Sequence, residues 1–291
     1  MFLSRTWMFV PGSQERRLQK VKDLPADVLI YDLEDAVAAS EKEKARKMVR
    51  QALRENAEKV NFVRINDPST PYFLADLQEI VAEGLAGIIL PKAAKKEDVI
   101  LVDRLLGQLE EGKNLPRGSI RIVPLIESAL GLQHAYEIAT ASDRVIRLAF
   151  GSVDFTLDIG AKLTKEGTEL LYARSQLVVA SRAAGIEGPI DAVYIHIRDL
   201  EGLQQETRFA KQLGFQGKMV IHPEQIPIVN KIFMPTAEEV EEAKAIVDAF
   251  AEAVAAGSGA IQWNGKMIDY PVAERAKRIV AQAEILGMLT E

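Results

Sequence analysis

Eight short, almost wholly apolar runs recur between residues 7 and 221 of this chain, most of them followed by a longer segment with helical spacing. The runs are Trp7–Val10, Val28–Tyr31, Asn61–Ile65, Gly87–Leu90, Ile120–Ile126, Val145–Gly151, Ile190–Tyr194 and Lys218–Ile221. Glu41–Arg54 and Gly167–Ala184 exemplify the helical segments between them. Strands without polar alternation are those of a parallel sheet buried on both faces, with helices forming the outer cover. Eight such units predict a closed (β/α)8 TIM barrel. A doubly wound open sheet is the competing arrangement. The repetition to eight units and the lack of a Gly-rich fingerprint after the first strand count against it.

The 291 residues suit one barrel plus an appendage, since such barrels occupy about 200–250 residues. The pattern changes after Pro235. Thr236–Ala256 reads as a long helix with Thr236 as N-cap and Glu238 and Glu239 in its first turn, where the helix dipole favours acids. A Gly-Ser-Gly turn at 257–259, a strand pair around Ala260–Ile268 and a last helix from Val272 to Met288 follow. The expected division is a catalytic barrel over residues 1–234 and a helical lid or oligomerisation extension over 235–291.

Charge and composition exclude several classes of function. Lys and Arg number 36 against 42 Asp and Glu, a net charge of −6, and no basic stripe is present; nucleic acid is not the expected ligand. The chain has no cysteine, which removes disulfides, thiolate metal sites and a Cys nucleophile, and agrees with a reducing compartment. The N-terminus does not read as a secretory signal, and no run of about 18 apolar residues predicts a membrane span. A cytoplasmic protein without membrane contact is the expectation.

In a TIM barrel the active site lies where the strands end, and here the ends are rich in ionisable groups. The second strand runs into Asp32-Leu33-Glu34-Asp35, the third carries Arg64 before Asn66 and Asp67, and the fourth ends in Pro91-Lys92. The fifth ends in Glu127-Ser128, the sixth in Gly151-Ser152-Val153-Asp154 and the eighth in His222-Pro223. Strand ends commonly turn polar on meeting solvent. Here, however, the acids follow apolar strands directly, and a buried carboxylate demands a partner. Converging carboxylates suit a hard divalent cation such as Mg2+. The three histidines, His134, His196 and His222, are isolated in sequence, so a His-rich zinc site is not expected; helix packing accounts for His134 and an exposed loop for His196. No G-x-S-x-G hydrolase elbow occurs.

Taken in order, Phe9-Val10-Pro11-Gly12, Asp32-Leu33-Glu34-Asp35-Ala36-Val37, Val63-Arg64-Ile65-Asn66, Leu90-Pro91-Lys92, Ile126-Glu127-Ser128, Phe150-Gly151 through Asp154, Asp158-Ile159-Gly160 and Ile221-His222-Pro223 span nearly the whole chain. In these motifs the sequence resembles the citrate lyase β-subunit-like proteins of the HpcH/HpaI aldolase superfamily, which include citramalyl-CoA and malyl-CoA lyases. The resemblance implies that Glu127 and Asp154 ligate Mg2+, with Mn2+ as a substitute, and that Glu34 and Asp35 hold metal-bound waters. It implies that Arg64 binds the carboxylate and carbonyl end of a 2-keto acid. Phe9 and Lys20 would lie along the coenzyme A arm, bordered by His222 and Pro223. Asp269, by sequence alone an ordinary turn residue, becomes by resemblance the acid/base that the C-terminal lid inserts into a neighbouring subunit, within a homo-oligomer for which a trimer is implied.

Asp35, where the superfamily's pyruvate aldolases usually carry His, favours the acyl-thioester branch, as does the extended C-terminus. Gln14 stands where related lyases often have Arg, and Arg16 and Arg17 are near enough to take its place. The implied reaction is Mg2+-dependent carbon–carbon cleavage of a 3-hydroxyacyl thioester. Two other readings stay open: a malyl-CoA thioesterase, and a citrate lyase β subunit working on a carrier-bound citryl thioester within a complex.

Overall fold

In the computed structural model, which describes residues 4–289, eight parallel strands close into a barrel in sequence order. They are β1 (Thr6–Pro11), β2 (Val28–Asp32), β3 (Val60–Arg64), β4 (Gly87–Leu90), β5 (Arg121–Ile126), β6 (Ala149–Phe150), β7 (Ile190–Asp191) and β8 (Gly217–Val220). Closure is made by β1 on β8, with Trp7 opposite Met219. Each predicted run overlaps one of these strands, with ends that differ by a residue or more in all but β4. The sixth and seventh are shorter than expected. The ladder beyond them thins to a single bridge, Val145 to Ile122, and to the pair Ala149–Ile190.

Period-two alternation decides what each strand gives to each side of the barrel wall. Met8, Val10, Leu29, Tyr31, Val63, Ile65, Ile88 and Leu90 join Val49, Leu53, Leu77 and Leu106 of the surrounding helices in one apolar layer. Their alternates face inward. Trp7 and Phe62 meet edge to face there, with ring centroids 4.9 Å apart. The ring of Phe62 depends on Gly87: a Cβ at that position would stand 2.3 Å from Phe62 Cε1. The same alternation carries Phe9, Asp32, Arg64 and Glu127 onto the inner face at the C-terminal mouth. Interior phase and strand end together place the site.

Residues Ser4–Phe233 form one compact unit, and from Met234 the chain builds a second. In the latter, helix Ala237–Ala255 starts with a capping box in which Thr236 Oγ accepts from the Glu239 amide at 3.1 Å and Glu239 Oε2 accepts from the Thr236 amide at 2.8 Å. An antiparallel hairpin follows, β9 (Ala260–Trp263) and β10 (Lys266–Asp269). It turns through Asn264 and Gly265, both at positive φ, as a two-residue hairpin requires. Helix Tyr270–Ile285 closes the unit over Ile246, Phe250, Ile268, Ala273 and Ala276. This last helix begins two residues earlier than the apolar pattern suggested, because Asp269 caps it and Pro271 occupies its first turn. Among the described residues no helix is long and apolar enough to cross a membrane.

Candidate active site

The mouth of the barrel is organised around Asp32, the last residue of β2. Its carboxylate accepts the guanidinium of Arg64 in a two-point grip, from Nε at 2.8 Å and Nη2 at 2.7 Å. It also caps the turn that follows, accepting from the amides of Glu34 at 2.9 Å and Ala36 at 3.2 Å. One carboxylate thus fixes both the arginine and the Leu33–Ala36 turn. The free edge of Arg64 meets Asp35 at 3.2 Å and Glu34 at 3.0 Å, and the Phe9 ring lies 5.0 Å from Cζ. Burial works against the charge of Arg64, but Asp32, Glu34 and Asp35 outweigh it and hold the guanidinium more firmly protonated than a free arginine.

Glu127 follows β5 and is buried. Its Oε1 accepts from the backbone N–H of Lys92 at 2.7 Å. Lys92 adopts the left-handed conformation, φ 52°, a strained one for a residue with a Cβ; it aims its amide at Glu127 and its ammonium at Glu34 Oε1, 3.5 Å away. On the other side Glu127 leans on Gly151, where a Cβ would stand only 2.7 Å from both Glu127 Cβ and Oε2. Asp154 then projects from the first turn of helix Ser152–Asp158 and is exposed. Asp158 of that helix accepts the Ala129 amide at 2.7 Å, which ties the loops after β5 and β6 together.

The site carries more negative charge than its cations balance. Burial pushes the Glu127 carboxyl up to about 8, opposed by the Lys92 amide and raised further by Glu34 and Asp154. Burial likewise lifts Glu34 to about 7, against the attraction of Arg64 and Lys92 and with the repulsion of Asp35 and Asp32. Both oxygens of Glu34 are buried without a directed hydrogen bond, although Arg64 and Lys92 stand near them. Among the described residues no group of three or more acids, histidines or cysteines forms a ready metal cage. Mg2+ does not need one, since it commonly takes one or two protein carboxylates and completes its shell with water and substrate. A charge surplus on hard oxygen donors, with the Glu34 oxygens buried and without a directed hydrogen bond, fits such an ion.

The HpcH/HpaI aldolase/citrate lyase family model matches residues 5–223. The chain belongs to that family. Within it, the chain is similar to citrate lyase subunit beta of Leuconostoc mesenteroides subsp. cremoris, 40% identical with 97% of this chain and 93% of the relative covered. It is 33% identical to the L-malyl-CoA/beta-methylmalyl-CoA lyase of Cereibacter sphaeroides, over 98% of this chain and 96% of that one. Among solved structures, protein CitE of Mycobacterium tuberculosis in complex with magnesium, acetoacetate and coenzyme A superposes with a TM-score of 0.79 at 31% identity, covering 97% and 98% of the two chains. As a member of the HpcH/HpaI aldolase/citrate lyase family, this protein is a lyase.

The family motifs are not all drawn into one cluster. Phe9, Glu34 and Asp35 each meet Arg64, and Lys92 links Glu34 to Glu127. His222 lies past the end of β8, half-buried, its Nδ1 accepting from the Glu224 amide at 3.3 Å, with Pro223 next in the chain. Lys20 is exposed at the end of helix Glu15–Lys20. Asp269 caps helix Tyr270–Ile285, its Oδ1 accepting from the Val272 amide at 3.4 Å. His134 Nδ1 is bonded to the Ala94 carbonyl at 3.0 Å, and His196 packs edge to face on Tyr194.

Two residues that motif reading passed over matter to the geometry. Asp32 stood in the sequence as one acid among several, and nothing local marks it as the one that grips Arg64. Lys42 opens helix Lys42–Glu55 among many charged neighbours, yet it is buried beneath the Glu34 turn. A single buried lysine in an otherwise solvated helix start has no signature in the sequence.

Proposed function

We propose that this lyase cleaves the carbon–carbon bond of a 3-hydroxyacyl-CoA thioester, of the citryl-, citramalyl- or malyl-CoA type, into acetyl-CoA and a 2-keto acid, in a Mg2+-dependent reaction. The observation that carries this reading is the buried acid Glu127, near enough to Asp154 for that charge to raise its carboxyl, together with a clamped Arg64 and negative charge in excess. Glu127 and Asp154 would hold Mg2+, which when bound supplies Lewis acidity toward the substrate alcohol and carboxylate oxygens. Glu34 and Asp35 would anchor water around that ion from the facing turn.

Arg64 would receive the carboxylate of the keto-acid portion. Its orientation is preset by Asp32, so little is lost in ordering it when charge develops on the departing carbonyl oxygen. Loss of the hydroxyl proton, to water held by Glu34 and Asp35, would turn the C–O bond into a carbonyl and send the carbon–carbon bonding pair into the thioester enolate. Asp269, delivered by the C-terminal unit of a neighbouring subunit in a trimer, would give its proton to the enolate carbon and so form the acetyl thioester. Phe9, Lys20, His222 and Pro223 would border the coenzyme A arm.

The similarity to citrate lyase β subunits, at 40% identity, supports a second reading, in which the thioester is carried by an acyl carrier protein inside a larger assembly. One experiment separates the cases. The purified protein is given citryl-, citramalyl- and malyl-CoA, and a citryl thioester on an acyl carrier protein, each with and without Mg2+, and the products are identified by mass spectrometry. Acetyl-CoA with a keto acid, formed only with the metal, is the expected result. Hydroxy acid with free CoA would overturn the lyase reading in favour of thioester hydrolysis. Turnover confined to a carrier-bound thioester would move the protein into the complex.

A further inference from the structure

The carboxylate of Glu34 is met by two ion pairs, Arg64 Nη1 at 3.0 Å and Lys92 Nζ at 3.5 Å, but by no directed hydrogen bond, so its orientation depends on the backbone that carries it. That backbone is held from two sides. Its amides are capped by Asp32. Its carbonyls are held by Lys42, whose Nζ donates to Leu33 O at 2.6 Å and Glu34 O at 2.7 Å, and to Asn66 Oδ1 at 2.6 Å.

The third partner extends the support into the barrel wall. Asn66 donates from Nδ2 to Leu33 O at 2.9 Å and to Asp76 Oδ2 at 2.6 Å, while its amide donates to that same Asp76 oxygen at 2.9 Å. Asp76, fully buried, takes Arg46 Nε on its other oxygen at 2.8 Å. Lys42 and Arg46 both sit on helix Lys42–Glu55, so the turn is fastened to that helix at one end and to the loop after β3 at the other.

An ammonium has three donors, and all three of Lys42 are spent on protein oxygens. It has none left for substrate. Helix formation does not call for a buried charge here either, since an apolar residue would fill the space without the desolvation penalty. We propose that Lys42 is a positioning residue that acts through Glu34, its tetrahedral donors setting the two carbonyls of the Leu33–Glu34 turn so that Glu34 faces Glu127 and Arg64. This rests on the role given to Glu34 above.

The test is a double-mutant cycle between Lys42→Met and Glu34→Gln, read as kcat on the preferred acyl-CoA and as Mg2+ affinity by calorimetry without substrate. Each single variant should lose about 10–100-fold, the range for outer-shell partners of a metal site. The double variant should fall no more than about threefold below Glu34→Gln, because residues acting as one unit are not additive. Amide hydrogen exchange at Leu33–Ala36 supplies a readout that needs neither metal nor turnover, and Lys42→Met should accelerate it at least about tenfold. An equal loss in both backgrounds would mean a general structural role and would overturn the proposal. So would unchanged exchange at the turn. If Lys42→Met does not fold, Asn66→Ala, which removes one of the three acceptors, takes its place under the same criteria. Absence of Mg2+-dependent turnover in the unmodified protein would count against the proposed function instead, leaving the exchange measurement to decide on Lys42.

Discussion

Gly151→Ala is the sharpest single perturbation of the site, because it adds one methyl group and no charge. Gly151 has φ −102°, a conformation open to alanine, so the backbone itself is not strained by the change. The added Cβ, however, would sit 2.7 Å from Glu127 Oε2 and Cβ, whereas ordinary contact begins at 3.4 Å. One side must therefore give by about 0.7 Å, the difference between those two distances. Glu127 is held at its other oxygen by the strained Lys92 amide, and Gly151 is bonded to Ile126 O at 2.9 Å, so neither has slack. A misplacement near 1 Å typically costs about 100-fold in rate. Overpacking a buried contact costs about 1–3 kcal/mol of stability. The expected outcome is a kcat down about 100-fold with a weakened Mg2+ requirement curve, and a melting temperature lowered by a few degrees at most. Steady-state rates across a Mg2+ titration, paired with calorimetric melting, measure both. A variant with kcat within about threefold of the parent and the same Mg2+ dependence would show that Glu127 does not have to sit where the structure holds it.

Glu127→Gln and Asp154→Asn should each reduce Mg2+-dependent turnover by at least about 100-fold, and calorimetry should show Mg2+ binding lost with circular dichroism unchanged. Asp32→Asn leaves Arg64 buried without its two-point partner; KM for the acyl-CoA should rise and kcat fall together, as substrate-profile kinetics would reveal, with unfolding easier by about 3–5 kcal/mol, the usual cost of breaking a buried pair. Asp191 is a separate, structural case. Burial alone would raise its carboxyl, but Arg174 and Lys218, in contact at 2.9 and 2.6 Å, outweigh it and lower the group below its usual range. A depressed carboxyl stabilises the fold above the unfolded-state value of about 3.9, and that contribution fades as pH falls through the folded-state value. Asp191→Asn should therefore lower the melting temperature at pH 7 and flatten its decline below about pH 4 in a pH series of melts.

How much of the fold was legible follows from what kind of signal each part leaves. Apolar strands are buried on both sides in this architecture, so the runs around Ile30, Phe62 and Ile89 announce themselves, and so does their return eight times. Strand length is less visible. Val145–Gly151 is a single apolar run in sequence, but regular pairing is confined to Ala149 and Phe150. The neighbours' register decides that, and register is a property of two segments rather than one. The C-terminal unit gave away its first helix through the Thr236 cap and its strand pair through the segment Ala260–Ile268, whereas the Asn264-Gly265 turn within that pair emerged only in the structure. Its last helix started early because a capping Asp and a proline outrank hydrophobic periodicity at a helix start.

The candidate site divides along the same line. Residues whose position is fixed by strand phase were readable: Arg64 and Glu127 lie an even number of steps from Phe62 and Val123, so they had to enter the barrel with them. What strand phase cannot say is which acid pairs with which base. Asp32 and Asp35 are three apart and chemically alike, yet one is buried and clamps Arg64 from two sides while the other is mostly exposed and meets it at a single nitrogen. The difference arises because Asp32 is still on the strand and faces inward, whereas Asp35 has entered the turn that Asp32 itself caps. Lys42 carries the point further. Its burial results from the meeting of a turn, a helix start and an asparagine 24 residues away, so no window of sequence around it contains the cause. A site assembled at strand ends thus shows its inward-facing residues to a periodicity argument and withholds the groups that orient them, because those groups owe their place to the packing of neighbouring βα units.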